Sequence, residues 1–237
     1  MFDTSVPPEE LSKLSLDHKI SAPLRDVFNS LITAVQDHAT EYDWPNNWLD
    51  AHQNRVAGDA KAFLTMLGYG AQACENVALA LRIHDLGKIH PLYEPKSWVI
   101  EDKNEVTDAI KNDRRLHTLR GDELFIREVL AAGVSLDDPQ VILTRAIILY
   151  HHERQNGSGY EGRSDMPEWM QAVILCDVWD GDMQKEHVNL GKPDRTPEVQ
   201  IARMQGTHED GAKYIGSFDP DLLERYAAHK LGPEYAA

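Results

Sequence analysis

The chain has few of the features that would point to secretion or to a membrane span. It contains only two cysteines, Cys74 and Cys176, which lie in apolar surroundings without a C-x-x-C spacing. This usage predicts buried free thiols and a reducing compartment. No apolar run reaches the length of about 18 residues that a membrane helix needs, and the N-terminus MFDTSVPPEELSKL is too polar and acidic for a signal peptide. We therefore expect a cytoplasmic protein that does not bind membranes.

Basic residues are also in deficit, since 24 lysines and arginines stand against 39 aspartates and glutamates, a net charge of −15. Binding to duplex nucleic acid depends on neutralising the phosphate backbone, so a chain without a basic face is not expected to bind it. Smaller phosphate-bearing ligands remain possible if metal ions supply the positive charge. Histidine, in contrast, is abundant, with 11 residues in the chain.

Apolar residues follow helical spacing along the chain, and no segment shows the sustained alternation of a half-buried strand. The pattern predicts an all-α fold with helices at 21–35, 49–67, 74–86, 114–132, 139–152 and after 165–168, and one or two more at the C-terminus. The helix at 139–152 is apolar on nearly all sides and is expected to be central. A loose arm is predicted at 1–20 and a polar connection at 91–113.

Seven metal-ligating side chains lie on the apolar face or at the end of these predicted helices: His52, His84, Asp85, His117, His151, His152 and Asp177. A single histidine in such a position is more often a hydrogen-bonded core residue than a ligand. Seven such residues on five successive helices are better explained by a shared metal centre, which gives each buried group a partner. Imidazole and carboxylate without thiolate suit iron, manganese, nickel or zinc, and seven ligands suffice for two metals about 3.5–4 Å apart.

The order of these residues resembles the HD superfamily of metal-dependent phosphohydrolases, and most closely its HD-GYP branch. The motifs that carry the resemblance are HQNRVAG, HDLGKI, HTLRGDEL and HHERQNGSGYEGR, together with the C-terminal GSFDPDLLERY. The resemblance covers 45–230 and implies a catalytic HD-domain helical bundle there, with 1–44 as an N-terminal arm and helix and 231–237 as a tail. It also implies hydrolysis of cyclic di-GMP to pGpG or GMP with two divalent metals, iron first and manganese next.

The resemblance also assigns roles to individual residues. One metal would be held by His52, His84, Asp85 and Asp177. The second would be held by Asp85, His117, His151 and His152, so that Asp85 bridges the two. Lys88 would face the scissile phosphate, where a fixed ammonium stabilises the charge that develops in the transition state. Lys88 could instead be a helix-terminal lysine that interacts with the macrodipole.

Three departures from the family pattern bear on the substrate. GYP reads GYE here, and Glu161 removes a proline that would stiffen the loop. The usually basic run after the last ligand is acidic at Asp180 and Asp182, so Lys185, Lys192 or Arg195 would have to substitute as a substrate contact. Spacing does not identify which of the three it is, and Lys185 is taken as the candidate. Trp48 replaces a glutamate that holds a third metal in some family members, so we expect two metals.

Other residues have two interpretations each. Arg154 follows the HHE run and could bind a phosphate or pair with an acid. Trp179 is the tryptophan best placed to stack on a base, although core packing is the commoner role. Gly157 and Gly159 could bind an anion, although a glycine-rich turn usually only reverses the chain.

Two alternatives to the phosphodiesterase follow from the same residues. HD-superfamily di-iron oxygenases have nearly the same ligand pattern. A signalling adaptor that binds a cyclic dinucleotide but hydrolyses it poorly would also fit the altered downstream run. The chain could form a homodimer, or it could interact with a signalling protein of the diguanylate cyclase type.

Overall fold

The computed structural model describes residues 8–41, 48–92, 107–183, 196–232 and 235, and all regular secondary structure in these residues is helical. The α-helices of the described ranges are α1 (Pro8–Leu11), α2 (Ala22–Glu41), α3 (Trp48–Met66), α4 (Ala71–Leu81), α5 (Asp108–Ala131), α6 (Pro139–Tyr150), α7 (Glu168–Met183), α8 (Pro197–Met204) and α9 (Pro220–Leu231). Short 3-10 helices form at Leu86–Ile89 and Glu209–Tyr214. The all-α prediction is confirmed. Among the residues described, none of the helices is both long and apolar enough to cross a membrane.

Helix α6 lies between two apolar clusters. One cluster joins α3, α4, α7 and α9, and it includes Leu143 and Ile147 of α6. The other joins α2, α5 and the 3-10 helix Leu86–Ile89, and it includes Val141 and Ile148. A helix that is apolar on all sides has to be covered on all sides. The central position predicted for this helix is therefore confirmed.

The helix boundaries around the first ligand pair differ from the prediction. Helix α4 ends at Leu81 rather than at 86. Residues 82–85 form turns, and the 3-10 helix follows them. The helical spacing of apolar residues continues through Ile83 and Leu86, both fully buried. Because of this, the sequence pattern does not show that the α-helix has already ended.

Helix α5 begins earlier than predicted, at Asp108 instead of 114, with Thr107 as its N-cap. The Thr107 hydroxyl accepts a hydrogen bond of 3.3 Å from the backbone N–H of Ile110. The first two turns of α5 are mostly exposed, so they carry no apolar stripe that periodicity could detect. The N-cap was the signal that was missed.

The arm predicted to be loose is partly packed. Leu11 and Leu16 are buried in the first cluster. Asn76 of α4 donates hydrogen bonds to the backbone carbonyls of Leu16 (2.8 Å) and His18 (2.9 Å). The prediction is therefore wrong for residues 11–18, because two widely spaced leucines do not reveal burial by periodicity. Residues 1–7 lie outside the described ranges.

A close backbone approach joins α5 to the 3-10 helix. A Cβ atom added at Gly87 would lie 1.8 Å from the carbonyl oxygen of His117 and 2.7 Å from the nitrogen of Gly121. Only glycine fits at this position without movement of α5. Because His117 and Asp85 lie on either side of this contact, Gly87 controls how closely they approach.

We predict that Gly87→Ala destabilises the protein by at least the 1–3 kcal/mol that is usual for overpacking, on the order of a 10 °C loss in Tm. The added methyl group would meet backbone atoms, which cannot rotate away. Gly58→Ala is the matched control, because a Cβ there meets nothing within 4 Å and alanine favours a helix interior. Thermal unfolding of both variants checks this, and an unchanged Tm for Gly87→Ala would show that α5 can move without cost.

Candidate metal centre

The seven predicted ligands converge on one buried region. His52 comes from α3, His84 and Asp85 from the turns after α4, and His117 from α5. His151 is the C-cap of α6, His152 follows it, and Asp177 lies in α7. Five helical segments therefore each contribute at least one side chain to the same place.

The first group contains His52, His84, Asp85 and Asp177. The Nε2 atom of His52 lies 3.2 Å from Asp177 Oδ1 and 3.6 Å from Asp85 Oδ2. The Nε2 atom of His84 lies 3.4 Å from Asp177 Oδ1 and 3.5 Å from Asp85 Oδ2. Two imidazole nitrogens thus face the same two carboxylate oxygens.

The second group contains Asp85, His117, His151 and His152, each of which offers a ligand atom within 4.8 Å of the others. Asp85 Oδ1 lies 3.2 Å from His117 Nε2 and 3.6 Å from His151 Nε2. The His151 and His152 rings are 4.1 Å apart between centroids. The two oxygens of Asp85 therefore face different groups, which is the arrangement a bridging carboxylate requires.

Backbone carbonyls orient three of the histidines. The Nδ1 atom of His84 donates to the carbonyl of Leu81 (2.8 Å), and that of His151 donates to the carbonyls of Ile147 and Ile148 (both 3.0 Å). His117 Nδ1 donates to the carbonyl of Arg114. Because a carbonyl can only accept, each ring carries its proton on Nδ1 and presents Nε2 as a ligand atom.

Unpaired buried nitrogens support metal binding. The Nε2 atoms of His84 and His152 are buried and have no hydrogen-bond partner among the described residues. Such atoms are rare unless an ion or water satisfies them. With nitrogen and carboxylate oxygen as donors, the groups fit a divalent transition metal. These buried histidine and aspartate groups could therefore hold a metal ion.

The protonation states of most of these groups suit this role. Burial alone would raise the pKa of Asp85, but the positive charge of Lys88 holds it well below its usual range. In the same way His52 outweighs burial at Asp177 and keeps its pKa well below the usual range. Burial and the neighbouring His151 lower the pKa of His152 well below its usual range. Both carboxylates are then anionic and His152 is neutral, as ligands must be.

His52 is the exception. Burial alone would lower its pKa, but the hydrogen bonds with Asp177 and Asp180 outweigh burial and raise the pKa to about 9. In the metal-free protein His52 therefore carries a second proton at neutral pH, and an incoming metal must displace it.

We predict that metal affinity rises with pH up to about 9, the pKa of His52 in the metal-free protein. Release of one proton on binding should cost about tenfold in apparent affinity for each pH unit below that value. Zn(II) titration calorimetry between about pH 6.5 and 8.5, in buffers of different ionisation enthalpy, measures both the slope and the proton release. An affinity that is independent of pH would contradict the protonation of His52.

Lys88 lies inside the centre rather than at a helix terminus facing solvent. Its ammonium group pairs with Asp85 and lies 5.0 Å from the centroid of the Trp48 ring. The side chain is 4% exposed. Trp48 in turn stacks on His52, with an angle of 3° between the rings and 5.6 Å between their centroids. Trp48 therefore contacts both a candidate ligand and the lysine.

The glycine-rich loop after His152 is held by Glu153, a residue whose role was not predicted from the sequence. Glu153 is fully buried, and its carboxylate accepts the backbone N–H groups of Glu161 (2.8 Å) and Arg163 (2.6 Å). A Cβ at Gly159 would lie 2.5 Å from Glu153 Cα. Two loop amides that could have bound an anion are thus occupied by the protein itself.

Tyr160 is a further residue that was not assigned a role. Its ring lies 4.5 Å from that of His152, and the Arg115 guanidinium lies 5.6 Å from its centroid. Burial and the negative charge of Asp85 raise the pKa of Tyr160 to about 12, so the phenol stays protonated at neutral pH. Its position in the loop after HHE was the signal available in the sequence.

Only some of the residues predicted to contact the substrate lie in the part of the chain that the structure describes. Arg154 donates to the carbonyl of Glu153 (2.6 Å) and lies 5.8 Å from the Phe218 ring centroid. Its charge interacts with Asp177. Trp179 packs edge-on against Tyr226 with 6.0 Å between centroids, which is a core contact. Lys185, Lys192 and Arg195 lie outside the described residues.

Comparison with known proteins adds no assignment to this site. No protein-family model matches the chain, and no curated protein matches it significantly.

Proposed function

We propose that the protein is a metal-dependent phosphodiesterase that hydrolyses a cyclic dinucleotide, with cyclic di-GMP as the leading substrate. The observation that carries the proposal is the Asp85 carboxylate, whose two oxygens face two separate groups of imidazoles. Two divalent ions held there, iron first and manganese next, would supply Lewis acidity and lower the pKa of a bound water towards neutrality.

The cations around the centre support a phosphate-bearing substrate. The chain has a net charge of −15, yet Lys88 contacts Asp85 and Arg154 interacts with Asp177. Lys88 would stabilise the negative charge of a phosphodiester bound beside Asp85. Burial strengthens this effect, because an ammonium group shielded from water acts more strongly on a neighbouring charge.

The protonated phenol of Tyr160 fits the same reaction. It remains a hydrogen-bond donor at neutral pH, since its pKa is raised to about 12. A donor beside His152 can bind a phosphate oxygen or the departing oxygen of the substrate. The loop that carries it is fixed by Glu153, so the phenol is held in place before the substrate arrives.

We predict that anaerobically purified protein loaded with Fe(II) or Mn(II) converts cyclic di-GMP to pGpG or GMP, and that His117→Ala abolishes this conversion. The variant removes a nitrogen that faces both Asp85 and His151. Chromatographic separation of the nucleotides measures the product, and metal analysis of each protein accompanies it. His208→Ala is the control, since His208 belongs to neither group. Full activity of His117→Ala, or an unchanged substrate with both metals bound to the native protein, contradicts the proposal.

We predict that Lys88→Met lowers kcat by about 10²–10³-fold, the usual loss when a group that stabilises transition-state charge is removed, while two metals stay bound. Lys111→Met is the matched control, because Lys111 also pairs with an aspartate three residues before it but is exposed. Kinetics with metal analysis of both variants provide the test. If Lys88→Met changed KM alone, Lys88 would contribute to binding rather than to the transition state.

A further inference from the structure

His52 differs from the other oriented histidines in its outer hydrogen bond. The Nδ1 atoms of His84, His117 and His151 donate to backbone carbonyls. The Nδ1 atom of His52 lies 2.6 Å from Oδ2 of Asp180 instead. A carboxylate is a stronger acceptor than a carbonyl, and it makes the opposite nitrogen of the ring a better metal ligand.

Arg55 fixes the Asp180 carboxylate in this position. Its Nε atom donates to Asp180 Oδ1 at 2.8 Å, and its Nη2 atom donates to Oδ2 at 3.4 Å. Both oxygens of Asp180 are therefore occupied by His52 and Arg55. This arrangement makes Asp180 a partner of a ligand rather than an eighth ligand.

The spacing of these residues explains how two helices build the contact. Arg55 lies three residues after His52 in α3, and Asp180 lies three residues after Asp177 in α7. Residues three apart share a helix face, so the pair His52–Asp177 and the pair Arg55–Asp180 lie one above the other between α3 and α7. The contact of Asp180 with His52 connects the two pairs.

We propose that Asp180 is a positioning residue that makes the first group (His52, His84, Asp85 and Asp177) the tighter of two metal sites, so that this site fills first. The inference rests on the two-metal centre of the proposed function but not on the reaction. Carboxylate partners of metal-binding histidines typically contribute about 10–100-fold to metal affinity, and the second group has only carbonyl partners for His117 and His151.

The first test uses the unmodified protein with Zn(II) alone at about pH 9, so that the metal does not have to displace a proton from His52. Zinc is diamagnetic, so the ring signals of individual histidines can be followed by ¹H–¹⁵N NMR as metal is added to the metal-free protein. With one equivalent of zinc, the signals of His52 and His84 should shift to their bound positions before those of His117 and His151. Earlier shifts at His117 and His151, or equal shifts in both groups, would overturn the proposal.

The second test compares two variants by zinc titration calorimetry. Asp180→Asn should weaken the tighter site by about 10–100-fold and leave the weaker one unchanged. In the ¹H NMR spectrum, the Nδ1–H resonance of His52 is expected far downfield because it lies beside a carboxylate. In Asp180→Asn this resonance should move upfield. Asp182→Asn is the matched control, since it removes the same charge from α7 at a residue bound by Arg203 and Tyr214.

The outcomes separate this inference from the proposed function. Equal weakening by both variants, or weakening confined to the second group, overturns the role of Asp180 and leaves the phosphodiesterase proposal untouched. If Asp180→Asn does not fold, the order in which zinc fills the two sites of the unmodified protein still tests the proposal. A native protein that binds no zinc overturns the metal centre, and with it both proposals.

Discussion

Burying a carboxylate as completely as Asp85, at 1% exposure, is costly unless charged or metal partners surround it. Asp85 has a lysine and four imidazoles around it, contributed by α3, the turns after α4, the 3-10 helix Leu86–Ile89, α5 and the end of α6. Each of these elements is held by apolar packing on its other side. The fold and the centre therefore depend on each other, because moving any one of the helices would leave a buried charge without a partner.

Helix C-termini make this polar centre compatible with an apolar core. The last carbonyls of a helix have no partner within the helix. His151 donates to the carbonyls of Ile147 and Ile148 at the end of α6, and His84 donates to that of Leu81 at the end of α4. The bond to Ile148 satisfies a terminal carbonyl and orients a ligand at the same time, whereas the carbonyls of Ile147 and Leu81 also accept the backbone N–H groups of His151 and His84. These hydrogen bonds give a physical reason for finding the pairs His84-Asp85 and His151-His152 just after helices rather than within them.

Prediction from sequence succeeded where one periodic signal carried the information. His52 lies on the stripe of α3, and apolar residues on all sides marked α6 as central. Glu153 and Asp180 were missed because their roles depend on partners that are distant in the sequence, namely loop amides and the ring of His52. Asp180 was interpreted as an unfavourable charge for a phosphate-binding run. In the structure that charge is already paired with Arg55.

The loop after His152 shows why a departure from a motif has to be judged by its contacts. Glu161 stands where the resembled family has proline, a difference that the sequence alone suggests is the loss of a restraint. Proline has no N–H, whereas the N–H of Glu161 donates to Glu153. A proline there would stiffen the backbone and remove that bond, while glutamate keeps the bond and leaves φ free. The two residues therefore restrain the same loop by different means, and the position of Tyr160 over His152 does not require proline.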